Sequence, residues 1–586
     1  MKEGSAISTL GSVTNPGTAS PEAATATCWP VAARTLRDAG CEVVIGLPAD
    51  EPGLLDAAAS TDGLTAVPVR DQRVGACAAV AAAMLTRRPV VLALTTGPAF
   101  TNALTGLLEG MSLGAPVIVV TVRIAANEIG RGGFQETDHR SLAQSVVKDH
   151  LVVATGDTLQ WALRRAAHLA VNGKPGPVLV EISAETATST DAVACAPYAA
   201  PVRALRSHPD PADVAEALAV MAQARRPLVL AGGGVRAADA AASLRMLATE
   251  WGAATATTAS GRGTFDELDP HCFGLVGLYA TPPLTTALAD VDVVLAIGTA
   301  LEETVRMGWD LDRVRLIHAD VDASTFHRAV PAEITLLGDA RLTTEALRAA
   351  WARQGDDIAG QDGRTGWRRT VAAARRALDA DAKAVTFAES PTRAVLRVLP
   401  DLFPDAVLVQ ENGLHDIWGY HISALTLPAD FPIVGPGEQT MMGFGLPAAV
   451  GVAATRPGRP VVLVCGDGAF AMSANTLPTA AELGCPLVMV VFDNNGFGWP
   501  RFLRRQDGHP SAQVDFRTCL PMAALVEAIG GITATVTDEE SLRSVMERAR
   551  TAVDAGRPAL VVVPVDDDDV PVGIRRIFGM EGAESC

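Results

Sequence analysis

The plainest chemistry in this sequence lies in one carboxylate and one carboxamide, Asp467 of Gly466-Asp467-Gly468 and Asn494 of Asn494-Asn495, twenty-seven residues apart. Both offer hard oxygen ligands that suit Mg²⁺, an ion that completes its octahedron with a backbone carbonyl, water and phosphate oxygens. Gly468 lets the backbone approach a phosphate, and amides at a helix start stabilise an anion. Asp467, Asn494 and Gly496 are therefore the candidate metal ligands, with Gly466, Gly468 and Ala469 beside the anion.

Elements of the right kind flank these residues. Pro460–Cys465 and Leu487–Phe492 are short, apolar and β-branched, as buried parallel strands are, and the segment between them is helix-sized. Asp467 and Asn494 then stand at the C-terminal ends of two strands joined by a crossover, where open α/β sheets bind ligands. The bland alternative is a strand–turn–helix corner followed by an asparagine-rich turn.

At 586 residues the chain should form about three domains, each with its own core. A net charge of −18 disfavours nucleic acid and anionic membranes as partners. No apolar run reaches membrane-spanning length. Nine scattered cysteines without a CxxC pair read as reduced thiols of a cytoplasmic protein.

Strand-like runs alternate with alanine-rich helical stretches, which predicts α/β doubly wound parallel sheets. The expected layout is a disordered tail over 1–25, a first domain over 26–190, a central domain over 209–352, a helical linker over 353–392, a third domain over 393–570 and a tail over 571–586. Residues 191–210 carry Pro and Ala without periodicity and read as a connection.

Glycine–aspartate–glycine followed by paired asparagines is the thiamine diphosphate signature, and the surrounding text resembles the large subunit of acetolactate synthase. The segments that carry the likeness are Gly443-Phe444-Gly445-Leu446-Pro447-Ala448-Ala449, Phe134-Gln135-Glu136, Thr96-Gly97-Pro98, Thr101-Asn102-Ala103-Leu104 and Asn412-Gly413-Leu414-His415-Asp416-Ile417-Trp418. It runs from about residue 28 to about residue 566. The resemblance implies three Rossmann-like domains: pyrimidine-binding, central and diphosphate-binding. It also implies thiamine diphosphate with Mg²⁺ and a homodimer or homotetramer whose sites join two chains. Gly413, Leu414, His415 and Thr440 would approach the cofactor, and Met442, twenty-five residues before Asp467, would be the apolar wedge beneath it. Phe134 and Gln135 would face the substrate, and Asn495–Arg504, with Trp499 and Arg501, resembles a segment closing over the site. FAD stays open: Gly232-Gly233-Gly234-Val235-Arg236-Ala237 fits a loose dinucleotide pattern or a structural glycine turn, and no acidic residue stands convincingly twenty residues on.

The first domain departs from the family. Relatives place a glutamate against the pyrimidine ring nitrogen to promote loss of the thiazolium C2 proton; here Arg70-Asp71-Gln72 puts Gln72 in that place. Pro48-Ala49-Asp50 and Pro98-Ala99-Phe100 also replace family turns. The expected activity is an acetolactate-synthase-like carboligase and decarboxylase, a transferase or lyase acting on a small 2-oxo acid such as pyruvate and an acceptor carbonyl. Simple 2-oxo acid decarboxylation, a C–C lyase or synthase reaction without CO₂ loss, and a cofactor-binding paralogue with little catalysis are the alternatives.

Overall fold

The computed structural model describes residues 24–191, 193–195, 201–354, 361–566, 569–571 and 574. Their backbone forms three six-stranded sheets, each wholly parallel. The first comprises β1 (Val43–Gly46), β2 (Thr65–Pro68), β3 (Val90–Ala93), β4 (Val117–Arg123), β5 (His150–Val153) and β6 (Val178–Ser183), in the order β2-β1-β3-β4-β6-β5. The central sheet holds β7 (Pro227–Ala231), β8 (Ala254–Thr257), β9 (Cys272–Leu275), β10 (Val293–Ile297), β11 (Arg315–Asp320) and β12 (Ile334–Leu337), in the order β9-β8-β7-β10-β11-β12. The third contains β13 (Val407–Gln410), β14 (Ile433–Val434), β15 (Val461–Gly466), β16 (Leu487–Asp493), β17 (Ile532–Thr535) and β18 (Ala559–Pro564), in the order β14-β13-β15-β16-β18-β17. First and third sheets thus share one winding, and the central sheet has the dinucleotide-fold order. Strands buried on both faces explain the unbroken Val/Leu/Ile runs: β13 and the first five residues of β15 are fully buried.

Helices cover the sheets. Those that matter for the site are α1 (Gln72–Thr86), α2 (Pro98–Leu113), α3 (His139–Ala143), α4 (Gln361–Ala384), α5 (Leu414–Tyr420), α6 (Gly445–Thr455), α7 (Asp467–Ser473) and α8 (Gly498–Gln506). Helix α4 lies within the predicted linker. Val74 to Ala83 of α1 are all buried, because α2 packs against one face and α6 against another. Small residues make that possible. A Cβ on Gly106 would lie 2.7 Å from the Ala76 Cβ, and one on Gly451 would lie 2.2 Å from the Ala78 carbonyl oxygen. The first and third domains are therefore joined through one core, which includes residues from both.

One boundary differs from the sequence reading. Ala24 and Thr25, assigned to the tail, form with Ala26 a short strand antiparallel to Val193–Cys195, inside the predicted connection. Three-residue strands are too short to show periodicity. The rest of the tail over 1–25, and all of 571–586 except 571 and 574, lie outside the described residues.

Gly451→Val should lower stability by about 1–3 kcal/mol or more, since the atom it meets is backbone and cannot rotate away. Denaturant unfolding measures this, and an unchanged midpoint would mean that α1 and α6 do not meet at this point.

Candidate cofactor and metal site

A cavity of about 420 Å³ opens at the C-terminal ends of β13, β15 and β16, with Tyr279, Thr304 and Met307 of the central domain as its far wall. Strand β13 has β14 on one side and β15 on the other, so the winding reverses here and leaves a crevice between the chain segments that follow β13 and β15. Gly413, Leu414, His415, Thr440, Met442, Gly466, Asp467, Gly468, Ala469, Asn494 and Gly496 all line this cavity. The motif spacing or the family likeness had singled out each of them.

Oxygens converge at one end. The outer atom of the Asn494 amide lies 3.3 Å from Asp467 Oδ1 and 2.8 Å from the Gly496 carbonyl oxygen. If that atom is nitrogen it donates to both; if it is oxygen, three oxygens face one another in the arrangement a small divalent cation stabilises. The Gly496 N–H donates to Asp467 Oδ2 at 3.0 Å and fixes the carboxylate. Burial and nearby Asp493 push the Asp467 carboxyl up to about 6, which marks a site short of positive charge. The buried Arg501 closes the turn from behind: it donates to the Asn494 and Asn495 carbonyls, both at 2.9 Å, and pairs with Asp515 at 2.6 Å. Arg501 is thus a fixed pin at the base of α8, whereas Trp499 on the same helix lines the cavity.

Glycines keep the floor open. A Cβ on Gly413 would stand 2.7 Å from the His415 ring, and one on Gly468 would stand 2.9 Å from the Phe497 ring. His415 is buried, its Nε2 lies 3.0 Å from the Glu411 carbonyl oxygen, and burial holds its imidazole down to about 4. It is a neutral packing and hydrogen-bonding group, not a solvated cap.

The loop that carries Thr440 and Met442 is held from three sides. Glu109 of α2 accepts from Gly437 N at 2.7 Å and Met441 N at 3.2 Å. Glu438 accepts from Thr304 N at 3.2 Å and Thr304 Oγ1 at 2.5 Å, tying the loop to the central domain. Glu411 accepts from Gly445 N at 2.7 Å, at the start of α6. None of these carboxylates was evident from the sequence, because each acts on a segment distant in the chain or on a turn that only the fold reveals. Their signal is burial: Glu109 and Glu411 are almost wholly inaccessible. Asp416 and Tyr279, also unforeseen, line the cavity, and burial followed by the nearby Glu411 charge pushes the Asp416 carboxyl well up.

Gln72, Phe134 and Gln135 do not line the cavity of their own chain. Gln72 begins α1, where its Oε1 accepts from Asn102 Nδ2 at 3.1 Å. Phe134 is 86% exposed, an unusual state for a large aromatic side chain. Gln135 has φ +59° and packs against Gly97, where a Cβ would lie 2.9 Å from its own.

A second, smaller cleft of about 190 Å³ lies at the winding reversal of the central sheet, beside Gly233, Gly234 and Arg236. Gly232 and Gly234 have a packing reason to be glycine, since a Cβ on either would lie within 2.7 Å of Gly298 backbone atoms. The acidic residue not found by counting is Asp320, at the end of β11 and lining the cleft. The volume falls below the ~300 Å³ at which small-molecule pockets usually begin. The cleft does not fit a flavin dinucleotide as it stands, and FAD is assigned no step.

Three family models match the chain. The thiamine pyrophosphate enzyme N-terminal TPP binding domain matches residues 30–142, the central domain 214–347 and the C-terminal TPP binding domain 411–563. The acetolactate synthase large subunit of Haemophilus influenzae is 26% identical over 537 residues, covering 88% of this chain and 91% of that one. The large subunit from Parasynechococcus marenigrum is 29% identical over 530 residues, covering 86% and 83%. Isozyme 2 of the Escherichia coli large subunit is 28% identical over 544 residues, covering 91% and 94%. The chain belongs to the thiamine pyrophosphate enzyme family and is a thiamine pyrophosphate-dependent enzyme of the acyl-transferring kind.

Burial pushes the Glu411 carboxyl up to about 7, against the pull of the Gly445 and Asn412 amides. The folded chain therefore binds this proton more tightly than the unfolded chain. The resulting stabilisation is full below the ordinary carboxyl range and is lost as pH rises through about 7. Between about pH 5 and 8 the melting midpoint should fall more steeply for the parent than for Glu411→Gln, which has no proton to lose. Parallel curves would contradict the assignment.

Proposed function

We propose that this member of the thiamine pyrophosphate enzyme family is a Mg²⁺-dependent carboligase and decarboxylase acting on a small 2-oxo acid such as pyruvate. The convergence of the Asp467 carboxylate, the Asn494 amide and the Gly496 carbonyl over a glycine-lined floor carries the reading. The acetolactate synthases among its relatives favour a 2-oxo acid donor and an acceptor carbonyl. Simple decarboxylation is the enzymatic alternative, separated by whether CO₂ release needs an acceptor.

Thiamine diphosphate, when bound, supplies a carbon nucleophile that takes up the keto carbon of a 2-oxo acid and carries the acyl unit after CO₂ leaves. The protein supplies position and charge. Asp467, Asn494 and the Gly496 carbonyl would hold a cation that offsets the negative charge of the diphosphate, while Gly413, Gly466 and Gly468 would admit the diphosphate to the backbone. Met442 would support the cofactor from below. Leu278, Ile417 and Trp499 line the cavity and would keep water from the reacting end.

The remaining wall would come from a second copy. Gln72, Phe134 and Gln135 lie away from their own chain's cavity, so the working unit is a homodimer or a tetramer built from it. In that arrangement Gln72 would meet the pyrimidine ring nitrogen with a neutral carboxamide, which hydrogen-bonds but carries no charge to favour the protonated ring. Proton loss from C2 would be slow, although a later step can still set turnover. If it is very slow, the protein binds the cofactor with little catalysis. The free thiols among the described residues, all buried except Cys519, favour a cytoplasmic setting.

Asp467→Ala should abolish Mg²⁺-dependent thiamine diphosphate binding, because it removes the charged ligand of the grip. Titration calorimetry reads this directly, and undiminished affinity would sink the metal-grip reading.

Gln72→Glu should quicken exchange of the thiazolium C2 proton, followed by NMR after acid quench, by about tenfold or more. Turnover need not rise with it. Unchanged exchange with cofactor still bound would show that Gln72 does not face the ring.

A further inference from the structure

In the first domain, a buried carboxylate stands between two imidazoles. Glu181 on β6 places Oε1 3.1 Å from His139 Nδ1 and Oε2 2.9 Å from His150 Nε2. His139 and Glu181 are both nearly inaccessible, and the His139 ring rests on Phe100 with centroids 4.7 Å apart. Burial alone would raise the Glu181 carboxyl, but the two imidazoles outweigh it and bring it down to about 2. An ionised carboxylate only accepts, so each facing nitrogen carries hydrogen. His139 therefore carries a hydrogen on Nδ1, and the Gly97 N–H that faces its Nε2 calls for a lone pair there. That nitrogen lies 3.2 Å from the backbone N–H of Gly97 and accepts from it.

Gly97 begins the contact that bears on substrate. It has φ +64° and packs directly against Gln135, itself at φ +59°. Gly97 and Gln135 lie on separate segments, each at positive φ, so their contact brings together two conformations that need support from their surroundings. The anchor present is the His139 lone pair.

We propose that His139 is a positioning residue whose tautomer, fixed by Glu181, holds the Gly97–Gln135 contact and so sets how the 2-oxo acid binds. This rests on the reading that Gln135 faces substrate in the second copy's site. Glutamine can imitate the required polarity, donating to Glu181 through its amide nitrogen and accepting from Gly97 through its oxygen. Leucine fills similar space and can do neither.

The test uses the full chain with thiamine diphosphate and Mg²⁺. His139→Leu should speed amide hydrogen exchange in the peptides spanning residues 94–101 and 129–138 by about tenfold or more, as expected when a buried donor loses its acceptor. It should raise the pyruvate KM about tenfold while kcat and cofactor affinity change less than about threefold. His139→Gln should stay within about threefold of the parent on every readout. Equal damage from both substitutions would mean that His139 only fills space, and unchanged exchange at 129–138 in His139→Leu would overturn the anchor. If His139→Leu does not fold, nitrogen-15 spectra of histidine-labelled parent decide the matter, with the His139 signals assigned by their loss in His139→Gln. A protonated Nε2 on His139 overturns the proposal. If the parent does not turn over pyruvate, the proposed function fails, while the exchange and tautomer readouts still judge the anchor.

Discussion

The near-contact of α1 and α6 at Ala78 and Gly451 decides how the rest of the molecule can work. A Cβ at Gly451 would lie 2.2 Å from a backbone oxygen, so the two helices touch main chain to main chain. That contact sets the first and third domains of one chain in a single core and orientation. Gln72 at the start of α1 and the exposed Phe134 lie outside the lining of the cavity at the ends of β13, β15 and β16. On the proposed reading the chain carries both halves of a thiamine diphosphate site without joining them in one cavity. In the proposed assembly, each half meets its complement on another copy.

The cavity that one chain does build is made rigid by buried carboxylates. Glu109, Glu411 and Glu438 each satisfy backbone N–H groups of the wedge loop or of its neighbours, one carboxylate from the first domain and two from the third. Unpaired buried charges would be costly, whereas carboxylates that accept two hydrogen bonds each are tolerated and direct the loop to a single conformation. Thr440 accordingly holds φ +46° with its carbonyl accepting from Asn412 Nδ2 at 2.8 Å. Arg501 does the corresponding work with opposite charge at the Asn494–Gly496 turn. Cofactor recognition thus rests on turns whose strain is offset by hydrogen bonds from outside the turns.

Much of this was legible in the sequence because the relevant signals are local. Two apolar strands, with Asp467 and Asn494 just past their ends, pointed to the sheet, the crevice and the cation site together. Gly413, His415 and Met442 followed from the likeness to the acetolactate synthases. What stayed hidden depends on contacts distant in sequence: Glu109 reaching Gly437, Glu438 reaching Thr304, Glu181 between two histidines. The short strand at Ala24–Ala26 was hidden for another reason, since three residues show no periodicity. Asp320 was missed because it ends β11, the fourth strand after the glycine turn, and stands far beyond the twenty residues that the pattern counts.

That two chains build each working site is tested most directly by subunit complementation. One chain carries Asp467→Ala, which disables the third domain, and the other carries Phe134→Ala with Gln135→Ala, which disables the first. Each alone should release little CO₂ from pyruvate. Co-assembled, they should regain activity, because one of the two sites in a mixed dimer draws an intact first domain from one chain and an intact third domain from the other. Activity no greater than the mean of the two separate variants, in confirmed mixed dimers, would show that each chain completes its own site.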